Sequence, residues 1–171
     1  THLIMQFSNP REPTKDDIIV YCDGAFDMLH PGHVTFLKKA KELGTYLVVG
    51  VHDDNDITKN GRPKPIMNIH ERVLSLLALK YVDDVVVGAP YNVTEELLRQ
   101  VEPSIVVIGS NVENIYRSKC YEIPEKCGIL KKIESDFPKL NSQMIIKRIL
   151  DNYSIYAKRN IVRENLPCEK L

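Results

Sequence analysis

Two histidines, His30 and His33, stand three residues apart with only Pro31 and Gly32 between them, in the stretch YCDGAFDMLHPGHVTFLKKAKEL over 21–43. Imidazoles at i and i+3 of a first helical turn share one face. There the turn's free N–H groups and the positive end of the helix dipole already favour an anion. Pro31 suits this position because its missing N–H leaves no bond unmade. Gly24 and Gly32 remove side chains where a phosphate must approach the backbone closely. Together these residues read as a phosphate clamp. Zinc would need a third ligand, and although His52 and His70 are available, nothing in their spacing fixes one, so no metal-ligating residue is assigned. A dinucleotide site would need GxGxxG in the first turn and an acidic residue closing the second strand in the usual way, and neither is found.

The elements that must position this pair are legible as runs. DIIVYC (17–22), YLVVGV (46–51), DVVVGA (84–89) and SIVVIG (104–109) are short, β-branched and apolar without a polar alternate face, as strands buried on both sides are. Helical patterns lie between them at 33–43, 69–81 and 93–101. The middle one carries a start signal, Asn68 as N-cap and Glu71 three residues on. Its body is apolar nearly all round (Val73, Leu74, Leu76, Leu77, Leu79), which predicts burial, partly against another domain or subunit. A last strand is expected near 129–133, followed by one long helix from about 141 to about 160. The expected fold class is α/β, a Rossmann-like doubly wound parallel sheet over 18–171, with residues 1–17 as a proline-broken linker or strap. The ligand crevice of such a sheet lies at the carboxyl ends of its strands, where His30 and His33 fall.

Composition limits what that crevice serves. Lys+Arg and Asp+Glu balance at 23 each, so no basic field advertises nucleic acid or an anionic membrane surface. No run approaches a membrane span and no signal peptide is recognisable. The 171 residues suffice for one domain's core. Cys22, Cys120, Cys127 and Cys168 form no CxxC pair, and are expected as free thiols in a reducing, cytoplasmic compartment. The sequence opens on Thr1 rather than Met, as a piece of a longer chain would.

DGAFDMLHPGH resembles the H-x-G-H signature of the nucleotidyltransferase superfamily, in particular the cytidylyltransferases of phospholipid synthesis. KPIMNIHERVLSLLALKYVDDVVVGAPYNVTEELL (64–98) is similar to the second half of the ethanolamine-phosphate cytidylyltransferases, and QFSNPREP (6–13) resembles the segment joining their two halves. The choline-phosphate enzymes are a weaker match. The resemblance implies that CTP, with Mg²⁺, and phosphoethanolamine give CDP-ethanolamine and pyrophosphate. It implies that His30, His33 and Arg72 act on the phosphates, and that Gly24, Ala25, Phe26, Gly32, Gly109 and Ser142 line the nucleotide site. Asp23 and Tyr91 match positions that line the amino-alcohol pocket. A catalytic lysine is implied on DITKNGRPKP (56–65), taken as Lys59, with Arg62 and Lys64 as the alternatives. The implied partner is a companion cytidylyltransferase half or a second copy, through helix 69–81 and KYVDD (80–84).

Two departures from the family pattern stand out. Ile108 occupies the place of a histidine at the end of the fourth strand. DFPKLNSQ (136–143) replaces an Arg-Thr-rich CTP-binding segment, with Ser142 alone kept and Asp136 in register with the arginine. These changes predict a half that is weak or silent in turnover, with Asp136 repelling the triphosphate.

Overall fold

The computed structural model describes residues 11–110 and 119–164. Five strands, β1 Ile19–Gly24, β2 Tyr46–His52, β3 Asp84–Ala89, β4 Ile105–Gly109 and β5 Leu130–Ile133, form one sheet in the order β3-β2-β1-β4-β5. Every pairing is parallel, with Asp23 opposite Gly50, Val51 opposite Val87 and Val106 opposite Leu130. The strand order reverses between β1 and β4, so the crevice opens where β1 ends. β1 runs two residues later than the sequence suggests and carries Asp23 and Gly24 within the strand.

The helices are α1 Pro31–Lys41, α2 Asp54–Lys59, α3 Ile69–Leu77, α4 Glu95–Val101, α5 Glu122–Lys126, α6 Ser142–Asp151 and α7 Tyr153–Glu164. On one face of the sheet, Leu37 and Ala40 of α1 and Val73 and Leu76 of α3 pack with Val20, Cys22, Leu47 and Val49. On the other face, Tyr21, Tyr46, Val48 and Ile108 meet Leu97 of α4 and Tyr121 at the start of α5. Each fully buried leucine there contributes roughly 1.5–3 kcal/mol.

The capping box of α3 forms as its sequence dictates: the Asn68 side chain accepts from the Glu71 N–H at 3.1 Å, and the Glu71 carboxylate accepts from the Asn68 N–H at 2.8 Å. The helix stops at Leu77, short of 81, and turns Glu71 outward. The helix expected over 141–160 is two helices. At Asn152 the side chain donates to the Arg148 carbonyl at 2.9 Å, ending α6, while the Asn152 carbonyl accepts from Ile155 and Tyr156 to begin α7. A local side-chain bond thus competes with the helix ladder and wins. Residues 11–17 lie on their own domain: the Tyr46 hydroxyl donates to the Arg11 carbonyl at 3.0 Å, and Arg11 pairs with Asp17 at 2.7 Å. The stretch 6–10 falls outside the described residues. Among the described residues no helix is long and apolar enough to cross a membrane.

Candidate active site

His30 is the N-cap of α1 in extended backbone, and Pro31 takes the first helical position. The His30 carbonyl accepts from the N–H groups of His33 and Val34, leaving the two rings stacked with centroids 3.8 Å apart and planes 21° from parallel. A Cβ on Gly32 would lie 3.0 Å from Cε1 and Nδ1 of His30, so the glycine also makes room for that ring to fold over the turn. Phe26 packs against His33 at 5.4 Å. Both Nδ1 atoms are buried without a hydrogen-bond partner. Such atoms are costly to leave unmade, about 1–3 kcal/mol each, and point to a ligand. Burial lowers the His33 pKa to about 4, helped by the neighbouring His30 and opposed by Asp27. Burial lowers that of His30 as well. Burial thus favours the uncharged form of both rings, and an anion against them would favour the charged form.

The clamp opens into a cavity of about 340 Å³. Asp23, Gly24, Ala25, Phe26 and Gly109 line it at the strand ends, His30, Gly32 and His33 at α1, and Asn141 and Ser142 at α6. Two helix N-termini thus face one space. Asn141 caps α6 by accepting from Met144 N–H at 2.9 Å, and the Ser142 hydroxyl donates to the Asp27 carbonyl at 2.7 Å. Phe26 and Met28 both have φ near +50°, a left-handed conformation that disfavours side chains. That backbone aims the Asp27 carboxylate at the next loop, where it accepts from Ile66 and Met67 N–H groups at 2.8 and 2.9 Å. Sequence reading missed Asp27. The available signal was a short acidic side chain in a strand-to-helix loop, where such groups take backbone N–H donors.

Several assignments shift. Arg62, not Lys59, lines the cavity, and its guanidinium makes no hydrogen bond or ion pair with any described residue. Lys59 ends α2, largely exposed, 3.7 Å from Asp56. Arg72 does not face the cavity. Fully buried behind it, the guanidinium donates to the carbonyls of Ala25 at 2.7 Å, His52 at 2.9 Å and Met67 at 3.1 Å, and pairs with Asp54. It sustains the loops around the clamp. α2, which holds Asp54, escaped the sequence reading because six residues show no period; its signal was Asp53, whose side chain caps Asn55 N–H. Asp136 is also away from the cavity lining, paired with Lys39, so its charge is met by an ammonium. Ile108 is buried on the sheet's second face among Tyr21, Val106 and Tyr121, so the end of β4 presents an aliphatic side chain there.

On that second face Asp23 accepts from the Tyr121 hydroxyl and from the Tyr21 hydroxyl at 3.4 Å. Gly50 opposite leaves the space, since a Cβ there would meet the Tyr21 oxygen at 2.2 Å. Burial raises the Asp23 pKa, while nearby His52 and the two hydroxyls oppose the rise. Tyr91 lies beyond the cavity lining and packs on His52 with ring centroids 5.1 Å apart. Tyr121 had no signal in the sequence, being brought to Asp23 by the fold alone.

The chain is similar to several known proteins. The ethanolamine-phosphate cytidylyltransferase of Arabidopsis thaliana is 42% identical over 166 residues, 94% of this chain and 39% of that one. That of Dictyostelium discoideum is 42% identical over 168 residues, 96% of this chain and 46% of that one. The chain thus spans less than half the length of these two relatives. The FAD synthase of Thermococcus sibiricus is 44% identical over 95 residues, 56% of this chain and 64% of that one. Among solved structures, the lipopolysaccharide core biosynthesis protein of Thermoplasma volcanium superposes with a TM-score of 0.57 at 30% identity, covering 70% of this chain and 97% of that one. A pantothenate synthetase of Thermus thermophilus shares the fold alone, with a TM-score of 0.50 and 13% identity over 94% of this chain and 74% of that one. The profile of the cytidylyltransferase-like family matches residues 21–164. Because that match takes in both the histidine turn and the α6 start latched onto it, the chain belongs to the cytidylyltransferase-like family.

Proposed function

We propose that this domain binds CTP and phosphoethanolamine and joins them as CDP-ethanolamine with release of pyrophosphate. The observation that carries the reading is the stacked pair His30 and His33, each with a buried, unpartnered Nδ1, at a helix N-terminus lining a cavity. A phosphate oxygen of phosphoethanolamine attacks the α-phosphorus of CTP in line, and the bond to the bridging oxygen of the β-phosphate breaks. The protein's part is positioning and charge stabilisation. The imidazoles donate to phosphate oxygens as charge builds on the leaving group, the α1 and α6 N-termini face the polyphosphate, and Arg62 supplies a planar donor fork. Asp23, with Tyr91 linked to it through the intervening His52, offers a negative and apolar seat for the ammonium.

Mg²⁺ belongs to this reading as part of the substrate. The Asp27 carboxylate is engaged by two backbone N–H groups and that of Asp23 by two tyrosine hydroxyls. These two acids of the cavity lining do not form a protein-held cage, so the ion would arrive on the triphosphate.

A second reading, a half that is weak in turnover and supports a companion half or a second copy, is favoured by Ile108, because the end of β4 offers no imidazole there. A cytoplasmic location goes with either, motivated by Cys22, Cys120 and Cys127 as free thiols. Two measurements decide. Calorimetry of CTP binding to the chain should show saturable binding that is lost in His33→Ala, and absence of binding would end the nucleotide assignment. Turnover with Mg²⁺ and both substrates then separates a working domain from a supporting one.

A further inference from the structure

His52 is a buried imidazole that the clamp does not use. It closes β2 on the face that carries Asp23: Asp23 pairs with Gly50, and residues two apart on a strand share a face. The side chain is held in one orientation. Nδ1 lies 3.1 Å from the Ala89 carbonyl, which only accepts, so Nδ1 bears a proton, and in that tautomer Nε2 offers a lone pair. Nε2 makes no hydrogen bond to any described residue, although the residue is 94% buried, at 6% exposure. Tyr91 packs against the ring at 40°, and Asp23 lies within electrostatic reach. The His52 carbonyl is itself fixed by Arg72, so the residue is anchored at both its backbone and its ring.

We propose that His52 is a specificity-determining residue, accepting a hydrogen bond at Nε2 from a primary ammonium seated between Asp23 and Tyr91, and so selecting an N–H-bearing amine against its fully methylated counterpart. The inference rests on the amine seat proposed above and adds what that seat demands of its occupant. A primary ammonium brings three N–H donors. Asp23 balances its charge but already takes two tyrosine hydroxyls, so a second acceptor is needed to satisfy the donors. A trimethylammonium group has no donor to give. It would leave Nε2 unpaired and set methyls against a lone pair, whereas Tyr91 alone would serve it as well as it serves the primary amine. Sites that hydrogen-bond a substrate N–H discriminate sharply against analogues that lack it, because the site's own polar group is left unmet.

The test is equilibrium binding with Mg²⁺ withheld, so that the two substrates bind without reacting. Phosphoethanolamine, its mono- and dimethyl derivatives and phosphocholine are titrated into the chain saturated with CTP, and into His52→Leu and His52→Gln. The unmodified chain should bind phosphoethanolamine about a hundredfold more tightly than phosphocholine, a ratio that leaving one buried acceptor unmet supports. His52→Leu should lower that ratio to about threefold or less while CTP affinity stays unchanged, and His52→Gln, which keeps an acceptor, should restore part of it. A ratio unmoved in both variants overturns the proposal, as does equal binding of the two esters by the unmodified chain. CTP binding without binding of any ester overturns it and leaves the nucleotide assignment standing. Failure to bind CTP as well removes the function proposed above with it.

Discussion

Alanine at Gly32 would place its methyl 3.0 Å from the His30 ring, with Pro31 and the helix leaving the backbone little room to adjust. The ring must then move by a few tenths of an ångström. We expect Gly32→Ala to weaken CTP binding by about tenfold, about 1.4 kcal/mol, while thermal stability changes little, since alanine favours the helix. Equal losses in binding and stability would show that the glycine serves the fold alone. The histidines make a second prediction. The His33 pKa in the folded chain, about 4, lies below the ordinary value near 6.5, so the unfolded state binds the proton more readily. Stability from this group is therefore complete above about pH 6.5 and declines as pH falls toward 4. Melting temperature followed from pH 7 to 4 should fall less steeply in His33→Gln. On the proposed function CTP should reverse the sign by favouring the charged rings, so calorimetry near pH 6 in buffers of different ionisation enthalpy should register proton uptake on binding; identical heats in those buffers would contradict it. At this scale the clamp was legible in the sequence because its residues are adjacent. Asp27, Tyr121 and the role of Arg72 were not, because their partners lie far along the chain and no spacing encodes a hydrogen bond made through the fold.

Between strands and loops, α3 acts through one side chain. Arg72 ties the β1–α1 loop, the end of β2 and the approach to α3 to each other through three carbonyls, and pairs with Asp54 of α2. Removing one partner of a buried ion pair costs about 3–5 kcal/mol, since the other is left uncompensated. Arg72→Met should lower unfolding stability by that order in denaturant titration, and Arg72→Lys should recover little, because an ammonium lacks the planar fork. A variant of near-native stability with weakened CTP binding would instead place Arg72 in contact with nucleotide. Strand positions were read well because runs such as YLVVGV are apolar on both faces. DVVVGA, read as buried on both sides, is instead β3 at the sheet's edge and largely exposed, since an apolar run does not say whether a strand is central or at the edge. Helix ends were read less well: the stop at Leu77 and the break at Asn152 depend on local backbone bonds that a hydrophobic period does not register.

At the scale of the whole molecule, the apolar surface expected on helix α3 lies elsewhere. Leu150, Tyr153, Ile155, Ile161 and Val162 of α6 and α7 are all more than half exposed. So many exposed large apolar side chains on two consecutive helices suit an association face. We expect sedimentation at tens of micromolar to show self-association that Leu150→Glu with Ile155→Glu abolishes; a monomer before substitution would refute it. The parallel sheet also has a consequence in time. The Ser142 hydroxyl meets the Asp27 carbonyl across 115 residues of sequence, and β1 waits for β4 to complete its pairing. Such long-range closure is slow, because loop entropy opposes it before any contact rewards it. During synthesis the histidine turn emerges early but remains roofless until α6 leaves the ribosome. A nascent chain stalled before Asn141 would hold both histidines without the Asn141 and Ser142 wall of the cavity, so the competence of the clamp is decided by a helix made late in the domain.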